Sequence, residues 1–195
     1  MARQRPAQHR DGSGGTHLEP PDHLLADPDA DPESVARTIC LRLLTARART
    51  RAELAEALDG RGIPRDTADR VLDRLIDVGL VDDRAFAEQF VVARHQDRGL
   101  ACRELARQLR DKGVEDSVIA DAVSGLDSEQ EIETGRRLVE RKLRSMARLE
   151  PAVQTRRLVG MLARKGYSPG LAFQIVRDFV GAEPDETGPE TAWLA

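Results

Sequence analysis

An internal repeat aligned on three glycines constrains the fold of this chain more than any other feature. Gly62, Gly113 and Gly166 lie 51 and 53 residues apart, and a leucine stands four and eight residues before each of them. A basic residue precedes each glycine, an apolar residue follows it, and apolar residues recur nine, ten and thirteen positions later. The register holds over about 22 residues without a gap. Such self-similarity predicts a tandem array of one structural unit.

Each copy of the repeat predicts a helix, a tight turn and a second helix. The two leucines form an apolar stripe on one helical face, and the basic residue complements the negative end of the helix dipole. The glycine supplies the left-handed conformation that ends the helix. A longer helix precedes each pair, at about 33–48, from Asp82-Asp83 onward, and at about 128–148. Because a hairpin alone cannot bury its apolar faces, this helix closes each unit and the units stack.

The predicted fold is therefore all-α, with three tandem three-helix repeats, each like a helix-turn-helix unit, in an elongated array. The expected boundaries are 33–80, 81–127 and 128–181. Residues 1–32 and 182–195 are acidic and poor in large apolar side chains, so we expect them to be disordered. The composition agrees, since only 3% of the residues are aromatic and 33% are charged. Between the acidic ends, residues 36–180 hold 27 basic and 23 acidic side chains, which suits either a nucleic-acid partner or an ordinary solvated surface.

No motif in the chain predicts catalysis, a cofactor or a metal site. None of the four histidines pairs with cysteines at a zinc spacing, and no glycine-rich phosphate loop is present. Cys40 and Cys102 are too few for a disulfide framework and are expected to be small buried side chains. No apolar stretch approaches the ~20 residues that span a bilayer, and no signal core opens the chain. These observations predict a cytoplasmic, non-enzymatic protein without a membrane partner.

Basic side chains at helical spacing are the candidate contact residues. The best group is a stripe on the long helix of the third repeat, expected to meet phosphates or an acidic protein surface. A solvated face with salt bridges stays open as the alternative for every group. The third-repeat group consists of Arg137, Arg141, Lys142, Arg144 and Arg148.

Two further basic groups lie earlier in the chain. The second repeat contributes Arg94, Arg98, Arg103 and Arg107. The first hairpin is entered through Arg47, Arg49 and Arg51. Aromatic residues for base stacking do not alternate with these arginines, which argues against tight binding of single strands by this protein alone.

Several segments resemble the RecX family, which regulates the RecA recombinase. They are residues 79–83 (Gly-Leu-Val-Asp-Asp) followed by Phe86-Ala87, residues 49–54 (Arg-Thr-Arg-Ala-Glu-Leu), residues 103–105 (Arg-Glu-Leu) and residues 112–114 (Lys-Gly-Val). The resemblance covers about 36–180. It implies a monomer that binds the groove of the RecA–single-stranded-DNA filament. It also implies lowered ATPase, strand-exchange and co-protease activity, and hence a role in recombination and the SOS response.

Two other functions stay open at this stage. The helix–turn–helix units suit a sequence-specific DNA-binding regulator, and three short units also suit a scaffold with a purely protein partner. Against the first, the helices after the first two turns carry acids where base-reading side chains are expected. These acids are Asp66, Asp69, Asp73, Glu115, Asp116 and Asp121.

Overall fold

In the computed structural model, which describes residues 31–180, the chain consists of helices joined by short turns, and this range contains no strand. This confirms the all-α prediction. The segments predicted to be disordered, 1–32 and 182–195, lie outside the described part except for Asp31 and Pro32, which form the start of α1. The helices are α1 (Pro32–Ala46), α2 (Arg51–Asp59), α3 (Arg65–Asp77), α4 (Asp83–Arg98), α5 (Cys102–Asp111), α6 (Asp116–Ser124), α7 (Ser128–Arg144), α8 (Pro151–Arg164) and α9 (Pro169–Val180).

Consecutive groups of three helices form the repeats, and each repeat has its own apolar core. We call α1–α3 repeat 1, α4–α6 repeat 2 and α7–α9 repeat 3. Full burial of a leucine side chain contributes about 1.5–3 kcal/mol, so two such leucines from one helix strongly favour its packed position. The leucines that define the repeat are all fully buried. They are Leu54, Leu58, Leu105, Leu109, Leu158 and Leu162.

The three glycine turns have the conformation that the sequence predicts. Gly62, Gly113 and Gly166 have φ angles of 73°, 72° and 93°, in the left-handed region that side chains with a Cβ atom disfavour. In each turn, the N–H after the glycine donates to the carbonyl of the second leucine, as from Ile63 to Leu58 at 3.2 Å. This bond reverses the chain within a few residues, so the next helix packs back on the first.

The long helix of repeat 3 is shorter than the predicted 128–148, because α7 ends at Arg144. The following turn buries Met146 in the core of repeat 3. The side-chain amide of Gln154 donates to the carbonyls of Met146 and Leu149 at 3.0 and 2.9 Å, which fixes this turn. A proline at 151 also disfavours helix at the residue before it. Arg148 therefore lies on a turn and not on the helical stripe that its spacing predicts.

Neighbouring repeats are joined where a glycine turn meets the start of a helix in the preceding repeat. At the first joint, between repeats 1 and 2, the Lys112 carbonyl accepts a hydrogen bond from the Thr50 hydroxyl at 2.7 Å. At the second joint, between repeats 2 and 3, the Lys165 carbonyl accepts one from the Ala101 N–H at 2.8 Å. Thr50 and Ala101 both stand twelve residues before a repeat glycine, so the two joints are equivalent.

A carboxylate strengthens each joint. Asp83 accepts from the Arg51 N–H at 2.9 Å, and Glu131 accepts from the Cys102 N–H at 2.8 Å. These N–H groups belong to the first residues of α2 and α5, where the helix itself offers no acceptor. Each later repeat thus satisfies an open helix start of the repeat before it.

Candidate partner-binding surface

Charge is unevenly distributed among the repeats. Residues 31–80 hold nine basic and nine acidic side chains, and residues 81–127 hold seven and ten. Residues 128–180 hold eleven and six, a net charge of +5 against 0 and −3 for the first two segments. The positive charge of the folded part is therefore concentrated in repeat 3, where an anionic partner is attracted.

A basic cleft of about 780 Å³ opens on repeat 3, between the end of α7, the turn at 145–149 and the outer face of α8. Apolar atoms of Met146, Leu149 and Met161 form part of its wall, and Met146 belongs to the core beneath. The exposed basic side chains around it give the cleft its charge. They are Lys142, Arg144, Arg148, Arg156, Arg157 and Arg164.

Most of these cations have no acidic partner. Arg144 forms an ion pair with Glu140 at 2.6 Å, whereas none of the other five lies within 4.0 Å of a carboxylate in the described part of the chain. Repeat 1 differs, since Arg51 contacts Asp69 at 2.9 Å and Asp73 at 3.1 Å. Uncompensated guanidinium groups around a concave surface suit phosphate or carboxylate ligands, which they can bind through paired N–H donors.

The cleft of repeat 3 includes the helix start that contacts the next repeat in repeats 1 and 2. Arg157 stands nine residues before Gly166, where the first two repeats have Glu53 and Glu104. Moreover, α8 begins at Pro151, one turn earlier than α2 and α5 begin in the shared alignment. The surface that the earlier repeats present to their successors is thus basic and remodelled in repeat 3.

The predicted stripe of repeat 3 is divided by the structure. Lys142, Arg144 and Arg148 line the cleft, whereas Arg137 donates to the Thr134 hydroxyl at 3.0 Å and the charge of Arg141 lowers the pKa of Lys165. The sequence-based prediction did not include three arginines of α8 that line the cleft, Arg156, Arg157 and Arg164. The signal was available in the spacing of seven residues between Arg157 and Arg164, which lie on one helical face.

Arg137 belongs to a hydrogen-bonded chain that crosses the second joint. The Thr134 hydroxyl that accepts from Arg137 contacts Nε2 of the buried His95 at 2.9 Å, and Nδ1 of that ring contacts the Leu100 carbonyl at 2.9 Å. A carbonyl can only accept, so the pattern assigns the ring proton to Nδ1. His95 is thus a structural link between repeats 2 and 3.

The second predicted group is also dispersed. Arg107 is paired with Asp111 and Glu104, and its hydrogen bonds lower the pKa of the Glu104 carboxyl to about 2. Arg94 packs over the Phe90 ring at 5.3 Å. Both side chains are therefore engaged within repeat 2, whereas Arg103 is exposed and forms no ion pair in the described range.

Arg98, another member of this group, lies beside Lys165 of repeat 3. Its carbonyl accepts a hydrogen bond from the Lys165 ammonium across the second joint. Burial lowers the pKa of Lys165, and the charges of Arg141 and Arg98 lower it further. Three cations therefore crowd this joint, and together they extend the positive surface of repeat 3 onto repeat 2.

The third predicted group contains one unsatisfied cation. Arg47 is paired with Glu53 at 3.3 Å, and Arg51 is held by α3 as described above. The Nε atom of Arg49 is buried and has no hydrogen-bond partner among the described residues. Burial lowers the pKa of this guanidinium, and the charges of Arg47 and Arg61 lower it further. An acidic ligand beside Arg49 and Arg61 would relieve this repulsion.

The described residues offer little reactive chemistry. No group of three His, Cys, Asp or Glu side chains between residues 31 and 180 is arranged to hold a metal ion. Burial raises the pKa of the Cys40 and Cys102 thiols to about 11, so they stay protonated and poorly nucleophilic at neutral pH. None of the helices in that range is long and apolar enough to cross a bilayer.

The fold and the cleft define a tandem helical-repeat protein whose last unit presents a basic cleft. Profiles of the RecX family match the chain three times, as the first three-helix domain at residues 36–75, the second at 82–123 and the third at 129–176. The chain therefore belongs to the RecX family of regulatory proteins, as the resemblance predicts.

Named relatives agree with this assignment. The regulatory protein RecX of Streptomyces coelicolor is 55% identical over 161 residues, which cover 83% of this chain and 86% of the relative. The RecX protein of Thermobifida fusca is 47% identical over 189 residues, covering 95% and 97%. The crystal structure of RecX from Lactobacillus salivarius has the same fold, with a TM-score of 0.69 at 23% identity over 76% of this chain and 97% of the other.

Proposed function

We propose that this protein regulates RecA by binding the RecA–single-stranded-DNA filament, and that its main effect is inhibition. On this proposal it is a cytoplasmic monomer without catalysis or cofactor of its own. It limits the ATPase, strand-exchange and co-protease activities of the filament. Membership of the RecX family supports the proposal, and the basic cleft of repeat 3 is the observation that carries it, because five of its six cations have no acidic partner among residues 31–180.

The cleft suits a filament better than free single-stranded DNA. Its lining contains no aromatic side chain, so it offers no platform on which bases could stack. Its guanidinium groups can bind backbone phosphates or carboxylates of the recombinase instead. We therefore propose weak binding of DNA by the protein alone and tighter binding when nucleoprotein supplies both kinds of anion.

The test is the ATPase activity of RecA filaments titrated with the wild-type chain and with a variant carrying Arg148→Glu, Arg156→Glu and Arg157→Glu. We expect the variant to need at least about tenfold more protein for half-inhibition, a loss of about 1.4 kcal/mol or more. The matched control carries Arg42→Glu and Arg65→Glu, two exposed arginines of repeat 1 without an ion pair among the described residues.

Equal inhibition by the cleft variant and the wild type would remove the cleft from the proposed interface. A wild-type chain that leaves ATP hydrolysis and filament length unchanged would contradict the proposed function itself. Selection of a defined duplex site by the chain alone would favour the helix-turn-helix regulator. That alternative has weaker support, since α3 carries Asp69 and Asp73 where base-reading side chains are expected, and both are paired with Arg51.

A further inference from the structure

The glycine turn of repeat 1 is not covered by any residue between 31 and 180, whereas its two counterparts are covered by a neighbouring repeat. A Cβ atom on Gly113 would lie 2.3 Å from Cβ of Ala52, and one on Gly166 would lie 2.6 Å from the Glu104 nitrogen. Among the described residues, a Cβ atom on Gly62 would have no neighbour within 4 Å, although the φ angles of Gly62 and Gly113 differ by only one degree. The same turn thus contacts a neighbouring repeat in repeats 2 and 3, whereas in repeat 1 no described residue covers it.

The basic residue before each glycine follows the same division. Across the first joint, the Lys112 ammonium contacts Glu53 at 2.7 Å. Across the second joint, the Lys165 ammonium donates to a carbonyl of repeat 2. Arg61 instead turns back and donates to the Ala57 carbonyl of its own helix at 2.7 Å. Arg61 therefore contacts its own repeat, whereas Lys112 and Lys165 contact a neighbouring one.

The two covered turns define what fits the open one. Each receives the first turn of a helix, whose N-cap residue donates a hydrogen bond to the carbonyl before the glycine. Each of these helices carries glutamate at its third position, Glu53 in α2 and Glu104 in α5. In repeat 1 the corresponding surface consists of the Arg61 carbonyl, the Arg61 side chain and the space over Gly62. We call this surface the open seat.

We infer that the open seat binds the first turn of a helix from a partner protein, and that this turn carries an acidic residue near its third position. The contacts expected there copy those of the first joint, where Glu53 pairs with Lys112, whereas at the second joint Glu104 is paired with Arg107 of its own helix. The acidic side chain would face Arg61. It would also offset the repulsion between Arg61 and Arg49, whose Nε atom has no hydrogen-bond partner among the described residues. The surface is distinct from the basic cleft, so the protein would hold its partner at both ends of the array.

A second copy of this chain does not supply the required helix start. The equivalent helix of repeat 3 is α8, which begins one turn earlier at Pro151, a residue without an N–H donor. Where Glu53 and Glu104 stand in the other repeats, α8 has Arg157, which would repel Arg61. These two differences argue against a second copy, and we assign the open seat to a different protein. The inference rests on the proposed function, under which that protein is a subunit of the RecA filament.

The test compares Gly62→Asn with Gly79→Asn. Both glycines have left-handed φ angles, 73° and 72°, and both have open space where a Cβ atom would stand. Asparagine tolerates this conformation better than most residues, so both variants should fold. Thermal unfolding checks this point, and inhibition of RecA filament ATPase measures partner binding. We expect Gly62→Asn to raise the half-inhibiting concentration at least about tenfold and Gly79→Asn to leave it unchanged.

Charge reversal provides an independent variant if Gly62→Asn unfolds. Arg61→Glu should also raise the half-inhibiting concentration, whereas Arg65→Glu, on the exposed start of α3, should not. Inhibition by both seat variants at the wild-type concentration would overturn the inference while leaving the proposed function standing. A wild-type chain without any effect on the filament would overturn both. If sedimentation finds dimers of the wild type that Gly62→Asn dissociates, the occupant is a second copy and the inference is wrong.

Discussion

Repeats 1 and 3 differ at one equivalent position near the start of a helix. This position is Glu53 in repeat 1 and Arg157 in repeat 3. In repeat 1 it is covered by the next repeat, and Glu53 is paired with Lys112. In repeat 3 it lies open on the basic cleft. The comparison teaches that a change of charge and one extra helical turn convert a surface that contacts the next repeat into the wall of a basic cleft, while the buried leucines stay the same.

The largest expected effect separates a covered glycine from an open one. Gly113→Ala adds a Cβ atom that meets Ala52, and we expect it to cost about 1–2 kcal/mol for the left-handed backbone and about 1–3 kcal/mol more for the collision. Gly62→Ala should cost only the first amount. Thermal denaturation followed by circular dichroism measures both variants. Equal losses would mean that the first joint does not hold the turn as described.

The next effect tests the charge difference itself. Arg157→Glu restores in repeat 3 the residue type of repeats 1 and 2, without any buried contact being lost. We expect binding to the RecA filament to weaken by about fivefold to tenfold, or about 1–1.4 kcal/mol, and its salt dependence to become less steep. Equilibrium binding at several salt concentrations measures this, with Arg42→Glu as the control. An unchanged salt dependence would contradict a role for Arg157 in anion binding.

A smaller effect concerns the hydroxyl that serves the first joint. Thr50 caps α2 by accepting from the Glu53 N–H at 3.1 Å, and it donates to the Lys112 carbonyl. Thr50→Ala should lower the free energy of unfolding by about 1–2 kcal/mol. The control is Thr45→Ala, whose hydroxyl bonds only a carbonyl of its own helix. Urea denaturation of the two variants decides whether the cap contributes as much as its contacts imply.

The smallest effect is a dependence on pH. Burial opposes the charge of Glu53, but hydrogen bonds from Lys112 and from the Thr50 N–H outweigh it and lower the pKa below its ordinary value of 4.5. A lowered carboxyl pKa stabilises the fold above pH 4.5, and this contribution is lost as the pH falls through the folded pKa. Glu53→Gln should therefore cost about 0.5–1 kcal/mol at pH 7 and progressively less below pH 4.5. The exposed Glu56→Gln should show no such trend.

Local sequence rules were sufficient for much of the fold. The spacing of leucines around Gly62, Gly113 and Gly166 predicts the buried faces and the left-handed turns, because both depend on a few adjacent residues. The end of α7 was not predictable in this way, since Arg144 and Arg148 continue a helical spacing. What ends the helix is the burial of Met146 and a hydrogen bond from Gln154, a residue of the next helix.

The candidate site was predictable only in part, for a similar reason. The basic residues of α7 form a visible stripe, but Arg156 and Arg157 become part of a cleft only because repeat 3 has no successor in the described array. Conversely, Arg137 and Arg107 look equally exposed in the sequence and are bound by Thr134 and Glu104. Which cations are free depends on partners that are distant in the chain or supplied by the packing of repeats.

The polar character of the first joint has a mechanical consequence. Thr50, Lys112, Glu53 and Asp83 hold it through hydrogen bonds, and the apolar cores of repeats 1 and 2 lie on either side of it. Water can replace such bonds at modest cost, whereas it cannot replace core contacts. We therefore expect repeat 1 to move relative to repeat 2 as a rigid body while its interior stays packed. Hydrogen exchange tests this expectation. The Arg51 amide should exchange faster than the Leu54 amide of the same helix.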